Sequence, residues 1–217
     1  DSNYNFKKRK MNLDTVFYVF DQALPSRLCD DLVQYGLEKN QKIALTGDFE
    51  DKKGELSEKE LAKLYESRNS NVVWMDEPWI YNAVQPFVRE ANINAGWNFQ
   101  WQGSEVCQWT KYGKEQYYHW HQDSHHKPYG QNTGWQEGLI RKLSVTISLV
   151  DGSSYEGGDL ELFHQRSWKD NKPIISEQAR NKGSITVFPS FVWHRVSPVT
   201  EGTRYSLVIW NLGKEFV

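Results

Sequence analysis

Hydrophobic residues recur with a helical period in the first part of the chain and in short runs in the second part. Three segments before residue 97 show the helical period, and they predict helices over 26–39, 57–67 and 78–92. Ser26 is the expected N-cap of the first helix, and Ser57 with Glu60 has the spacing of a capping box. Pro86 should kink or split the third helix, because proline has no amide hydrogen to donate.

The short apolar runs are rich in β-branched and aromatic residues and therefore predict strands. They lie at 15–20, 71–75, 97–101, 105–112, 116–123, 139–150, 159–163, 184–188, 191–197 and 203–212. The runs at 97–101 and 105–112 should form a hairpin that is broken at 102–104. So many short strands without helices between them indicate a barrel or a sandwich of two sheets.

Two polar segments are predicted to be loops. Residues 46–56 should form a surface loop, and residues 124–138 a longer one that contains four glycine or proline breakers. A loop of that length in a compact domain is usually functional or disordered. Because it follows Asp123 directly, we expect it to be a lid over a site.

Composition limits the class of protein. The length of 217 residues suits one domain with a sizeable core. We expect residues 1–14 to be a flexible arm or an artificial extension, 15–96 an N-terminal buttress of the same domain, and 97–217 its catalytic core. The net charge of −2 gives no basic surface for duplex nucleic acid, so a nucleic-acid partner is not expected. Two unrelated cysteines, no secretory signal and no long apolar run suggest a cytoplasmic protein without a membrane span.

Three residues have the types and spacing of a metal site. His121 and Asp123 are two apart on a predicted strand, so their side chains share one face and can bind one ion. His194 lies in a later strand and can supply a third ligand. Two histidines and one carboxylate form the ligand set of non-haem Fe(II) oxygenases, which leaves coordination positions open. A histidine taken alone is more often a surface or core residue.

An arginine near the third ligand can bind an anion. Arg204 follows His194 by ten residues, and its planar guanidinium suits a carboxylate. If Pro198 pairs with Gly202 in a hairpin, His194 lies opposite Ser206, and both His194 and Arg204 point inward. A shift of one residue would instead turn Arg204 to solvent. Ser206 shares the face of Arg204 in either case.

The order of these residues over about 105–213 resembles the catalytic half of the prolyl 4-hydroxylase-like Fe(II)/2-oxoglutarate dioxygenases. The resemblance is carried by the following residues: Tyr112, Tyr118, His121, Asp123, Arg141, Gly157, Gly158, His194, Arg204 and Ser206. The glycine that is common midway between the two tyrosines in that family is replaced by Glu115 in this sequence. The resemblance implies a mainly β fold with flanking N-terminal helices, namely a double-stranded β-helix (a cupin-like jelly-roll).

The same resemblance implies a role for each residue. Iron would be bound by His121, Asp123 and His194, and 2-oxoglutarate by Arg204, Tyr112 and Ser206. Tyr118 and Arg141 would contact the substrate. The implied reaction hydroxylates an unactivated C–H bond and releases succinate and CO2, with Fe(II), 2-oxoglutarate and O2 as cofactors and ascorbate as a further candidate. A prolyl residue in a peptide or protein is the favoured substrate; a free amino acid, or a metal-binding cupin-like module without activity, is the alternative.

Overall fold

A computed structural model of the chain describes residues 11–46, 49, 52, 55–124, 127–163 and 172–216. These residues contain three α-helices, α1 at Ser26–Glu38, α2 at Glu58–Ser67 and α3 at Pro78–Asn94. All three were predicted, and the capping box of Ser57 and Glu60 is present. Ser26 is not an N-cap, because the helix already includes it and follows Pro25 without a side-chain cap. Pro86 does not split α3, which continues past it for eight residues to Asn94.

The strands are short and, where they pair, antiparallel. They are β1 Tyr18–Phe20, β2 Lys42–Ile43, β3 Arg68–Asn69, β4 Asn71–Met75, β5 Gly103–Ser104, β6 Cys107–Tyr112, β7 Tyr117–His121, β8 Leu139–Ser148, β9 Tyr155–Gly157, β10 Leu160–Phe163, β11 Ile174–Ile175, β12 Ile185–Pro189, β13 Trp193–Val196, β14 Val199–Gly202 and β15 Arg204–Lys214. The large sheet has the order β1-β12-β8-β15-β6-β4-β2, with β5 beside β15. The small sheet has the order β11-β10-β13-β7-β3, and β14 pairs with β9. The two sheets form the predicted double-stranded β-helix.

Helices α1 and α3 cover one face of the large sheet, whereas α2 contacts β3 and β7 of the small sheet. Alternation along the strands of the large sheet separates the covered face from the interior. On β8, Leu143, Val145 and Ile147 are buried in the main core cluster together with residues of α1 and α3. The residues between them, such as Ser144 and Thr146, face the other way. Contact between layers is close, since a Cβ built on Gly36 of α1 would lie 2.2 Å from the ring of Trp109 on β6. One face of the large sheet is therefore free to line a cavity. Within the described residues, no helix is long and apolar enough to cross a membrane.

The predicted hairpin of 97–101 with 105–112 is wrong. The backbone of Phe99 is hydrogen-bonded to a side chain and not to a neighbouring strand. The Asn92 side chain accepts a hydrogen bond from the Phe99 amide and donates one to the Phe99 carbonyl. Asn98 has a φ of 54°, which is incompatible with a regular strand. β6 instead pairs with β4 and β15, and the expected break at 102–104 contains the short strand β5.

The predicted pairing of Pro198 with Gly202 is also wrong. β13, which carries His194, belongs to the small sheet, whereas β15, which carries Arg204, belongs to the large sheet. The chain crosses between the sheets, and β14 pairs with β9 on the way. Arg204 is nevertheless buried. It points inward because the two sheets face each other, and no hairpin register is involved.

A β-bulge interrupts β8. Asn211 of β15 is opposite Leu143, but Leu212 is opposite Arg141, so Lys142 is one extra residue on β8. Side chains alternate between the two faces of a regular strand. In a regular β8, Lys142 would therefore share the interior face with Ser144, and Arg141 would lie on the outer face. The bulge reverses that order, since the Arg141 guanidinium stacks on Trp210 of the cavity wall. Lys142 instead donates to the carbonyl of Lys214 and lies over the ring of Phe216.

Candidate functional site

Three side chains converge where β7 and β13 meet. His121 and His194 are directly opposite each other in the small sheet, and their ring centroids are 4.1 Å apart. Asp123 follows β7, and its amide donates to the carbonyl of Ser190. Its Oδ1 lies 3.6 Å from His121 Nε2, and its Oδ2 lies 3.4 Å from His194 Nε2. One ligand atom from each of the three residues lies within 4.8 Å of the others.

Hydrogen bonds orient both imidazoles. His121 Nδ1 is 2.7 Å from the carbonyl of His119, and His194 Nδ1 is 2.9 Å from that of Val192. A carbonyl oxygen only accepts, so each neutral ring carries its proton on Nδ1 and presents a lone pair on Nε2. Burial, and after it the neighbouring His121, lowers the pKa of His194 to about 4 against the opposing effect of Asp123. Both lone pairs therefore face the Asp123 carboxylate.

The Asp123 carboxylate is buried and only partly satisfied. Burial raises the pKa of the Asp123 carboxyl, but the positive charges that His194 and His121 carry when protonated have the larger effect and lower it. Oδ2 has no hydrogen-bond partner among the described residues. A buried carboxylate oxygen without a donor is costly unless a cation binds it. This orphaned oxygen and the two lone pairs fit a divalent transition metal.

A buried arginine, Arg204, faces the same cavity. Its Nη1 donates to Ser206 Oγ at 3.1 Å, and its Cζ lies 5.4 Å from the ring of Tyr112, its partner across the sheet. Gly158 has a φ of 62°, and a Cβ there would lie 3.2 Å from Arg204 Cδ. The described residues provide no carboxylate in an ion pair with Arg204. The guanidinium therefore has surroundings that would suit an anion, and binding of 2-oxoglutarate by Arg204, Tyr112 and Ser206 stays a prediction.

Tyr118 covers one of the imidazoles. Its ring stacks on that of His121 with centroids 3.5 Å apart, and its hydroxyl lies 3.3 Å from Thr46 Oγ1. Burial raises the pKa of the Tyr118 phenol, so the hydroxyl stays protonated. Tyr118 lines the cavity beside the three converging residues, where the sequence placed it.

Arg141 lies at the edge of this cavity in an ion pair. Its Nε and Nη2 donate to the two carboxylate oxygens of Glu105 at 2.8 and 2.6 Å. Its Cζ lies 4.1 Å from the ring of Trp210, and Tyr129 also donates to Glu105. Two of its donors are thus already used, and contact between Arg141 and substrate stays a prediction.

Residues 107–211 match the family model described as the 2OG-Fe(II) oxygenase superfamily. The chain belongs to this superfamily. A PKHD-type hydroxylase of Synechococcus sp. (strain CC9311) is 44% identical over 68 residues, which are 31% of this chain and 28% of that protein. A PKHD-type hydroxylase of Idiomarina loihiensis is 29% identical over 104 residues, 46% of this chain and 39% of that protein. The chain thus spans less than half the length of these curated relatives.

Solved structures of oxygenases share the fold. A Pseudomonas putida prolyl-4-hydroxylase superposes with a TM-score of 0.64 at 22% identity, covering 91% of this chain and 93% of that one. The viral collagen prolyl hydroxylase of Paramecium Bursaria Chlorella virus-1 has a TM-score of 0.59 at 18% identity, with coverage of 92% and 97%. A Trichoplax adhaerens prolyl hydroxylase in complex with a hypoxia inducible factor peptide fragment has a TM-score of 0.57 at 17% identity, with coverage of 91% and 84%. The jelly-roll fold and the family predicted from sequence are confirmed.

The superfamily uses Fe(II), 2-oxoglutarate and O2, and the charges of this oxygenase's cavity fit them. Two neutral imidazoles and a carboxylate suit Fe(II), and a buried arginine with only neutral partners suits a dicarboxylate. Glu115, which replaces the glycine common in the family, has a φ of 64°. The left-handed turn that glycine favours is therefore kept at some cost in backbone strain.

Of the predicted lid of the oxygenase, residue 124 and residues 127–138 are described. Its base is closed, because the Tyr129 amide donates to the carbonyl of Leu139 and the Gly138 amide donates to that of Tyr129. Trp135 at its tip is exposed and lies against Gly103. His125 and His126 of the predicted lid lie outside the described residues. Closure over substrate stays a prediction.

Sequence reasoning missed several lining residues of the oxygenase's cavity, among them Arg68, Gln108 and Trp210. It also missed Glu105, which pairs with Arg141 at the cavity edge. Arg68 and Ser70 repeat the Arg-x-Ser pattern of Arg204 and Ser206, which was the only available hint. Nothing in the sequence indicates that β3, far upstream of the catalytic half, pairs with β7 and brings Arg68 opposite Tyr118.

Proposed function

We propose that this chain is an Fe(II)/2-oxoglutarate-dependent dioxygenase that hydroxylates an unactivated C–H bond. The observation that carries the proposal is the convergence of His121, Asp123 and His194 beside a buried Arg204 for which the described residues provide no counter-ion. In the balanced reaction, substrate, 2-oxoglutarate and O2 give the hydroxylated substrate, succinate and CO2. A metal-binding module without activity would not require a buried guanidinium next to the ligands.

The residues would divide the work as follows. His121 Nε2, His194 Nε2 and the Asp123 carboxylate would hold iron, which when bound supplies the oxidative chemistry. Arg204, with Ser206 and Tyr112 beside it, would bind the distal carboxylate of 2-oxoglutarate. Tyr118 shields the His121 ring from solvent and offers a neutral hydroxyl to bound groups. Ascorbate remains only a candidate reductant.

A prolyl residue in a peptide or protein is the favoured substrate, with a free amino acid as the alternative. The similarity to prolyl hydroxylases supports this choice. A row of side chains on the interior face runs from Thr146 through Val208 and Gln108 to Trp74. Trp74 is 52% exposed and lies 6.2 Å from the Trp210 ring of the cavity wall. This open aromatic surface is better suited to an extended peptide chain than to a small ligand, which would need an enclosed cavity.

The proposal is tested by adding Fe(II) and 2-oxoglutarate under anaerobic conditions and recording the visible spectrum. A chelate charge-transfer band in the wild-type protein, its loss in His194→Ala, and its retention in the control His119→Ala would support the proposal. His119 is exposed, and its substitution leaves the backbone carbonyl that orients His121. Succinate release over a panel of proline peptides and free amino acids then identifies the substrate. Absence of the band in the wild-type protein would refute the proposed function.

A further inference from the structure

The cavity contains a second buried arginine that the proposed chemistry does not use. Arg68 begins β3, is 4% exposed and lines the cavity together with His121, Asp123 and Arg204. Its Cζ lies 4.4 Å from the ring of Tyr118, whose other neighbour is the His121 ring. Arg68 is therefore separated from a proposed iron ligand by the thickness of one aromatic ring.

Within the described part of the chain, the hydrogen-bond partners of Arg68 are neutral. Its Nε donates to Ser70 Oγ at 2.9 Å, and its Nη2 donates to Gln108 Oε1 at 2.6 Å. That amide oxygen also accepts from Thr110 at 3.2 Å, so it is shared. No carboxylate in the described part of the chain forms an ion pair with Arg68.

Other arginines in the described residues show what is missing. Arg141, Arg180 and Arg195 are each paired with a carboxylate, from Glu105, Asp159 and Glu161 respectively. A buried guanidinium without a counter-ion is costly, because its charge has lost its hydration. Arg204 has its anion in the proposed function, since the cosubstrate binds there. Arg68 has none.

The charges of the loaded site lead to the same conclusion. The positive charges of Fe(II) and Arg204 are balanced by the negative charges of Asp123 and of the two carboxylates of 2-oxoglutarate. The charges of Arg141 and Glu105 cancel each other. One positive charge remains, on Arg68. A guanidinium has five N–H donors, and the described contacts of Arg68 use two of them. At least one edge of its fork can therefore bind a further acceptor.

We infer that Arg68 binds a carboxylate of the substrate, so that the protein acts on an anionic molecule whose carboxylate lies near the C–H bond to be hydroxylated. This inference rests on the proposed function and narrows it. The carboxylate could be the α-carboxylate of a free amino acid or of a C-terminal residue. An acidic side chain adjacent to the target residue in a peptide offers the same chemistry.

Binding of matched acid and amide probes tests the inference. The wild-type protein is loaded with Mn(II), which does not support turnover, and with 2-oxoglutarate. The Kd of N-acetyl-L-proline and of N-acetyl-L-prolinamide is then measured by calorimetry. The acid should bind at least about tenfold more tightly, as a charge-assisted hydrogen bond requires. A second pair, acetyl-Pro-Asp-amide and acetyl-Pro-Asn-amide, distinguishes a side-chain carboxylate from a terminal one.

Substitution of Arg68 locates the preference. Arg68→Gln should bind acid and amide equally, and Arg68→Lys should keep a reduced preference, because lysine retains the charge without the planar fork. Both variants should still bind 2-oxoglutarate, which also shows that they fold. Equal binding of acid and amide within both wild-type pairs, including no binding at all, would overturn the inference. So would a preference that persists in Arg68→Gln. Failure of the wild-type protein to bind 2-oxoglutarate would instead overturn the proposed function.

Discussion

Removal of the Glu105 carboxylate should destabilise the fold strongly, because it would leave Arg141 buried without a counter-ion. The two side chains form two hydrogen bonds of 2.8 and 2.6 Å, and their exposures are 14% for Arg141 and 8% for Glu105. Breaking a buried ion pair of this kind costs about 3–5 kcal/mol of unfolding free energy. Glu105→Gln also weakens the acceptor of the Tyr129 hydroxyl, and the upper part of the range is therefore expected.

Urea denaturation of four proteins measures the effect. Glu105→Gln should lose the full amount, and the double variant Glu105→Gln/Arg141→Met should recover most of it, because it removes both charges. Asp31→Asn is the control, since it breaks an exposed pair with Arg27 and should change stability little. A Glu105→Gln protein as stable as wild type would refute the reasoning. So would a double variant no more stable than the single one.

Other predictions concern cosubstrate, pH and motion. Arg204→Ala should weaken 2-oxoglutarate binding by roughly 1.5–3 kcal/mol and leave metal affinity unchanged, and calorimetry that finds equal affinities would remove Arg204 from the site. Burial lowers the pKa of Lys142 from 10.5 in the unfolded chain to about 8 in the folded protein. Between these two pH values the unfolded chain binds more protons than the folded protein, so the free energy of unfolding should rise with pH over that range. Lys142→Met should abolish that rise, and an identical pH profile in the variant would contradict it. Hydrogen exchange over 127–138 should slow when substrate binds, and high protection in both states would exclude a lid.

Patterns within a short stretch of sequence correctly predicted the features that depend on that stretch alone. The capping box of Ser57 and Glu60 and the apolar period of 78–92 gave correct helices, because propensity and amphipathic burial agree there. The i, i+2 spacing of His121 and Asp123 likewise anticipated their convergence with His194. These inferences needed only the period of the element and the chemistry of its residues.

Pairing between distant segments could not be read in the same way. The run at 97–101 has the composition of a strand, yet the backbone of Phe99 within it is hydrogen-bonded to the Asn92 side chain. The bulge at Lys142 depends on the register of β8 against β15, and the sequence of β8 alone gives no reason for an extra residue. Arg68 enters the cavity only because β3 joins the small sheet. For the bulge and for Arg68 the decisive partner lies far along the chain, whereas Asn92 is close to Phe99 in sequence but acts through its side chain.

The crossing of the chain between the sheets has a consequence for the choice of cosubstrate. His194 and Arg204 come from consecutive segments of the chain but lie on opposing layers. If Arg204 binds one end of the diacid and the metal held in part by His194 binds the other, the separation of the layers sets the length that fits between them. Packed sheets keep a spacing of about 10 Å and resist compression, so oxaloacetate and 2-oxoadipate, one methylene shorter and longer, should both fit poorly. Selection by molecular length would then be a property of the whole sandwich, and substitution of a single side chain would not readily alter it.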